Sequence, residues 1–136
     1  MYTSIQNVQI ILALLKKHNI RHLVLSAGTR HVPLAHSAEN DPFFTCYSVV
    51  DERSAAYFAL GISKELRVPV AVACTSSTAT CNYVPAIAEA YYQNIPLLVL
   101  TGDRDPYLLD QIEDQMINQV NMYGNFCRKS VTLPVV

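Results

Sequence analysis

Residues 68–78 read Val-Pro-Val-Ala-Val-Ala-Cys-Thr-Ser-Ser-Thr. The run is apolar at every position up to Cys74, so both faces of the strand it forms must be covered. Strands of that kind belong to mainly parallel sheets with helices on both sides. Working outward, three more short apolar runs lie at residues 21–26, 44–50 and 96–100. Helical patterns or polar stretches long enough for a crossover separate them. Residues 3–19 are expected to form a helix, with Val8, Ile11, Leu12 and Leu15 on one face and Thr3 and Gln6 at capping-box spacing. Lys16, Lys17 and His18 suit the negative end of its dipole, and Asn19 is a natural stop. A short helical stretch runs from Pro33 to about residue 40. The alanine-rich residues 54–66 form a third helix, with Gly61 as an expected close-packing point. Residues 79–92 form a fourth, with Pro85 as an expected kink. Residues 103–119 read as irregular, and residues 128–133 as a last edge strand or an exit. The fold class is therefore α/β, doubly wound, with a mainly parallel sheet covered on both faces, in one domain over residues 1–136.

Composition narrows the functions open to such a domain. It is 51% hydrophobic and only 15% charged, an apolar excess which suggests that something else covers part of its surface. The formal net charge is −1, which offers no basic field for nucleic acid or an anionic membrane. Lys16-Lys17 and Arg128-Lys129 read as solvated element ends. No apolar run is long enough for a membrane span, and the N-terminal residues lack a signal-peptide pattern. Cys46, Cys74, Cys81 and Cys127 fit neither zinc nor redox spacing, and read as buried or half-buried thiols in a reducing, cytoplasmic setting. His18, His22, His31 and His36 show no metal spacing and read as surface or capping residues. With four glycines in all, the chain has no Gly-rich phosphate loop, and it has no nucleophile elbow.

In open α/β sheets, ligands bind outside the carboxyl ends of the strands. Each expected strand here ends in polar residues: Ser26-Ala27-Gly28-Thr29-Arg30, Asp51-Glu52-Arg53, Thr75-Ser76-Ser77-Thr78 and Thr101-Gly102-Asp103-Arg104. Polar βα loops are general, so polarity alone leaves a binding rim and ordinary loops both open.

The residue order decides more. Val50-Asp51-Glu52-Arg53-Ser54-Ala55-Ala56 with Phe58-Ala59-Leu60-Gly61 resembles the glutamate segment of thiamine-diphosphate-dependent enzymes. Residues 69–79, Asn82-Tyr83-Val84-Pro85-Ala86 and residues 95–101 continue the resemblance. It runs from about Arg21 to Pro134, and is nearest to the menaquinone-pathway synthases. It implies the pyrimidine-binding domain, with Glu52 hydrogen-bonding N1′ of the aminopyrimidine of thiamine diphosphate. It also places Thr75, Ser76, Ser77, Thr78 and Asn82 near the cofactor. Thr29, Arg30, Arg104 and Gln115 would line the site for an acidic 2-oxo acid, guanidinium suiting carboxylate. Surface salt bridging to Asp103 or Asp105 is the other reading of the arginines. Helix capping is the other reading of residues 75–78.

The chain departs from the family at named positions. The family turn Ser-Pro-Gly-Ser-Arg-Ser-Thr-Pro-Leu is here Ser26-Ala27-Gly28-Thr29-Arg30-His31-Val32-Pro33-Leu34, so His31 and Val32 replace two small hydroxyl residues. Ser77 stands where the family has glycine. Asp114 stands where it has asparagine, which sets a like charge near an acidic substrate.

The resemblance further implies a diphosphate-binding domain, on a second subunit or chain, that holds Mg²⁺. It implies a homodimer or homotetramer, with the site shared between subunits. Gly102-Asp103-Arg104 lacks the pattern of that second domain. The ending at Val135-Val136, in apolar sequence, fits a longer multidomain enzyme of which this is the N-terminal part, inactive alone. Other 2-oxo acid enzymes remain open, including those of sugar or polysaccharide biosynthesis and phosphonopyruvate-type decarboxylases. A non-catalytic interaction module retaining the fold is the reading from a different class.

Overall fold

The computed structural model describes residues 2–112 and 114–134; what was expected of Val135-Val136 lies outside them. Its sheet has four strands, β1 (His22–Leu25), β2 (Thr45–Ser48), β3 (Val70–Cys74) and β4 (Leu97–Thr101). All neighbours are parallel, in the order β2-β1-β3-β4. His22 aligns with Thr45 on one side and Val70 on the other, and Val70 aligns with Leu97. The chain therefore leaves β1 toward one edge, returns across it, and continues toward the other. The point where the order reverses lies between β1 and β3.

The helices are α1 (Gln6–Lys17), α2 (Val32–Glu39), α3 (Glu52–Leu66), α4 (Thr78–Cys81) and α5 (Val84–Tyr92). Strand alternation divides the core in two. On one face Val24, Val70, Val72 and Cys74 meet Ala55, Ala56 and Ala59 of α3, Ala86 and Ile87 of α5, and Tyr83. On the other, Leu23, Leu25, Ala71 and Ala73 meet Leu12 and Leu15 of α1 and Leu34 and Ala38 of α2. Every residue of β3 is buried, as its unbroken apolar run requires. Fully burying one valine or leucine contributes about 1.5–3 kcal/mol. The alanines on α3 let that helix lie close to the sheet.

Several local expectations are corrected. Thr3 and Gln6 form no capping box: the residue before α1 is Ile5, the Thr3 hydroxyl takes the Ile5 N–H at 3.1 Å, and Gln9 reaches back to the Thr3 carbonyl at 2.7 Å. Asn19 does end the helix region, in the left-handed conformation (φ 55°). Gly61 is no close-packing point, since a methyl group there would touch nothing within 4 Å. Residues 79–92 form two helices, broken at Asn82-Tyr83, and Pro85 opens the second where it lacks no needed N–H. Residues 128–133 form no strand. Lys16 is no idle helix end: it pairs with Asp41 at 2.5 Å and stands over the rings of Tyr2, Phe43 and Phe44. Arg128 donates to the Asn94 side chain at 2.8 Å. The described residues of 103–119 are irregular as expected, apart from one short 3-10 turn at Pro106–Leu108. Among the described residues no helix is long and apolar enough to cross a membrane.

Ser63 fastens α3 to the sheet. Its buried hydroxyl reaches the carbonyls of Val68 at 2.8 Å and Pro96 at 3.1 Å, just before β3 and β4. Ser63→Ala strips both carbonyls of that partner without opening a route for water. We expect a loss of about 1–3 kcal/mol, read as a lower urea midpoint with an unchanged slope.

Candidate functional site

The carboxyl ends of the strands converge where the strand order reverses. The Asp51 carboxylate caps α3, accepting the Ser54 N–H at 2.7 Å. That bond holds the Asp51 carboxyl below its usual range. Glu52 thereby becomes the first residue of the helix, half-buried at the rim. The helix start favours its negative charge. No hydrogen bond takes up its carboxylate among the described residues. Its charge acts on His31 and Cys74, so it faces the reversal point between β1 and β3.

The β1 and β3 turns touch. A methyl group on Gly28 would sit 2.4 Å from the Thr75 Cβ, and Gly28 has φ 146°, a conformation open to glycine. The Arg30 N–H reaches the Thr75 hydroxyl at 3.4 Å. The β4 turn joins them: a methyl group on Gly102 would lie 3.0 Å from the Arg30 Cβ. Two glycines thus let three turns share one small space.

Ser77 keeps a glycine-like backbone, φ 69° and ψ −128°. A non-glycine residue so placed costs on the order of 1–3 kcal/mol. Its side chain is buried and donates to the Gln115 carbonyl. Its N–H donates to the Gln119 side-chain oxygen at 2.5 Å, and the Gln119 amide donates to the Gly102 carbonyl at 2.9 Å. Gln119 therefore bridges the ends of β3 and β4. Sequence reasoning missed it, because no spacing rule singles out one glutamine in an irregular stretch.

A buried polar chain lies beneath the rim. Tyr83, 0% exposed, has its phenol 3.4 Å from the Ser26 hydroxyl and hydrogen-bonds Cys74. Burial pushes the Cys74 thiol up to about 12 and raises the Tyr83 phenol, so both stay neutral. Tyr123 donates to the Thr80 carbonyl at 2.7 Å and packs on the core, anchoring the irregular segment.

The other expected site residues fall as follows. Thr75 is half-buried and Ser76 buried, while Thr29, Arg30 and Thr78 are exposed on the rim. Asn82 turns back to the Thr78 carbonyl at 3.2 Å, onto its own helix. The Arg104 N–H is taken by the Asp103 carboxylate at 2.8 Å. The exposed Gln115 meets Ser77 through its carbonyl. No side chain of residues 75–78 caps α4, which removes capping as their explanation. The surface reading of His31 is overturned: it is 5% exposed. Cys81 is exposed rather than half-buried, and all four thiols are free. Among the described residues no group of three or more His, Cys, Asp or Glu could hold a metal ion.

A cleft of about 930 Å³ runs along β4 and reaches the rim at Arg30, His31, Gly102, Asp103 and Gln119. Glu52 does not line it. His31 lines the cleft and also lies within electrostatic reach of the Glu52 carboxylate.

Comparison with known proteins places this geometry. Residues 6–122 match the family described as thiamine pyrophosphate enzyme, N-terminal TPP binding domain. The whole chain is 44% identical to 2-succinyl-5-enolpyruvyl-6-hydroxy-3-cyclohexene-1-carboxylate synthase of Bacteroides thetaiotaomicron, covering 24% of that protein. Over 117 residues, 86% of the chain, it is 50% identical to the synthase of that name from Desulfotalea psychrophila, covering 22% of it. The chain thus spans about a quarter of the length of these relatives. The crystal structure of benzoylformate decarboxylase from Polynucleobacter necessarius superposes with a TM-score of 0.75 at 24% identity, covering 93% of this chain and 23% of that one, and so shares its fold.

Two outcomes follow from the rim. Gly28→Ala drives a methyl group into Thr75, so it should lower stability by about 1–3 kcal/mol in thermal or urea unfolding. Burial lowers the proton affinity of His31, against the Ser26 carbonyl and Glu52, which raise it. The unfolded chain then binds the proton more readily than the folded one. Stability from this residue is complete above about pH 6.5, the ordinary histidine value, and is lost as pH falls below it. Unfolding midpoints from pH 8 to 5 should therefore fall more steeply in the native sequence than in His31→Asn.

Proposed function

Because the chain belongs to the thiamine pyrophosphate enzymes, as their N-terminal TPP binding domain, we propose that it supplies the pyrimidine side of a thiamine diphosphate site. The reaction proposed is decarboxylation and carboligation of an acidic 2-oxo acid, of the menaquinone-pathway type. The observation that carries this reading is Glu52: a half-buried carboxylate at a helix start, facing the strand-order reversal, with no hydrogen bond of its own among the described residues. Such a group fits a ring nitrogen that must share a proton.

When bound, thiamine diphosphate supplies the electron sink for loss of carbon dioxide from a 2-oxo acid. What this chain does is hold and orient. Glu52 holds a proton at N1′ of the pyrimidine. The turn at residues 75–77 sets the floor beside it. Arg30 stands at the mouth of the cleft, and Arg104 belongs to the adjoining turn; their guanidinium groups suit the carboxylates of the substrate. Identity with the two synthases favours 2-oxoglutarate with isochorismate as the substrate pair.

The Mg²⁺ and diphosphate contacts are assigned to a separate domain, from a second subunit of a homodimer or homotetramer or from another chain. In this reading residues 1–136 are the N-terminal domain of a longer protein and are inactive alone. Exposed apolar residues around Glu52 support a covering partner: Val50 is 77% exposed, and Tyr57 and Phe58 are also open to solvent.

The test is carbon dioxide release by the complete natural protein with thiamine diphosphate and Mg²⁺, on 2-oxoglutarate and a panel of other 2-oxo acids. Glu52→Gln should lower turnover by about 10²–10⁴-fold. Unchanged turnover in that variant would sink the assignment. Release from a different acid alone would keep the role of Glu52 and discard the substrate.

A further inference from the structure

We infer that Ser77 is a positioning residue for the substrate side of this site: its hydroxyl, by holding the Gln115 carbonyl, fixes the turn that carries Asp114 and Gln115, and so sets the affinity for an acidic 2-oxo acid. The inference rests on the reading above and deepens it, by naming what places a substrate-facing group.

Ser77 is 1% exposed, and each of its polar groups is taken. Its N–H donates to the Gln119 side-chain oxygen at 2.5 Å. Its carbonyl accepts the Thr80 N–H at 2.9 Å and the Thr80 hydroxyl at 2.5 Å. Thr80 is itself fully buried, and its carbonyl takes the Tyr123 phenol. These bonds hold the backbone at φ 69° and ψ −128° whatever the side chain. Glycine, the family's residue here, adopts that conformation freely, while a side chain is strained in it. Serine therefore brings one thing that glycine lacks, a buried hydroxyl, and that hydroxyl donates to the Gln115 carbonyl.

The segment it reaches has few other ties. The hydrogen bonds described for residues 105–111 run within that stretch. Asp114 and Gln115 are exposed, and Gln115 has a left-handed backbone (φ 50°). Among the described residues, the hydrogen bonds that tie residues 114–119 to the strand ends run to Ser77, and through Gln119 to Gly102 and Thr101.

Ser77 follows closely on Thr75, whose hydroxyl takes the Arg30 N–H. The held turn is thus joined, through the β3 turn, to an arginine that suits a substrate carboxylate. Asp114 and Gln115 offer such a substrate opposite things. The Gln115 amide can donate to a carboxylate, and the Asp114 carboxylate repels it. Unless the turn is held, the repelling group is as free to face the ligand as the donating one. Ser77→Gly removes the hydroxyl and leaves the backbone bonds to Thr80 and Gln119 in place. Ser77→Ala removes the hydroxyl and keeps the strain.

The experiment is steady-state kinetics of the complete natural protein, with thiamine diphosphate and Mg²⁺, on the 2-oxo acid it turns over, expected to be 2-oxoglutarate. Both variants should raise KM for that acid about tenfold, as loss of one hydrogen bond does, and leave kcat and the Kd of thiamine diphosphate within about twofold. Ser77→Ala should be the less stable of the two, since stability follows the strain and KM follows the hydroxyl. In an Asp114→Ala, Gln115→Ala background, Ser77→Gly should add less than about twofold to KM, because the side chains it positions are already gone. Amide exchange of residues 114–119, read by mass spectrometry without thiamine diphosphate, should quicken about tenfold in Ser77→Gly while that of β3 stays unchanged. An unchanged KM, an equal rise in both backgrounds, a loss that falls on kcat or on cofactor Kd instead, or unchanged exchange would each overturn the inference. Failure here, with Glu52→Gln still abolishing turnover, leaves the proposed function standing. Retained turnover in Glu52→Gln overturns that function and this inference with it.

Discussion

The structure depends on one close approach, that of the β1 turn to the β3 turn. β1 and β3 pair at the centre of the sheet, where His22 aligns with Val70 and Leu25 with Ala73. Side-by-side parallel strands bring their carboxyl ends together, and only glycine at position 28 lets the two turns nest with Thr75. Arg30 is placed by that contact, Gly102 by its contact with Arg30, and Gln119 by its bond to Gly102. The rim is thus a chain of dependences that starts at a missing side chain.

Much of this was legible in the sequence for a plain reason. Strands buried on both faces need apolar residues at every position, and residues 68–74 and 22–25 declare themselves. Glu52 was legible because the surrounding residues match a family in order and spacing. The interruption between α4 and α5 was partly legible, since Pro85 has no N–H to continue a helix and marks a kink. That the chain breaks outright and buries Tyr83 with its phenol near Ser26 and Cys74 is a tertiary fact that a helical pattern hides. Gly61 misled for the opposite reason: a glycine on a solvent face has the same letter as one in a tight contact. Lys16 looks like a solvated end in the sequence because its partner, Asp41, lies far along the chain.

His31 and Ser77 show the limit most clearly. Both depart from the family pattern, His31 in the β1 turn and Ser77 in the turn after β3. Their consequences lie in tertiary space, in the burial of an imidazole and in a serine holding a glycine's backbone. Ser77 is retained against its own torsional preference by bonds to residues 115 and 119. A local rule is broken, and distant contacts compensate. Such conflicts concentrate where a protein binds something.

The strand order also sets a timetable for folding. β2 pairs with β1 across a short separation in sequence, while β3 must return from about twice as far. Doubling a loop costs only about 0.6 kcal/mol of closure entropy, so the finished sheet loses little. The kinetics differ, because long-range parallel pairing forms late. Until Val70–Cys74 arrives, β1 has an open hydrogen-bonding edge and its leucines lack their floor. The seam that builds the rim is therefore the longest-range pairing in the sheet, and any chain that has not yet closed it leaves the β1 edge open to wrong partners.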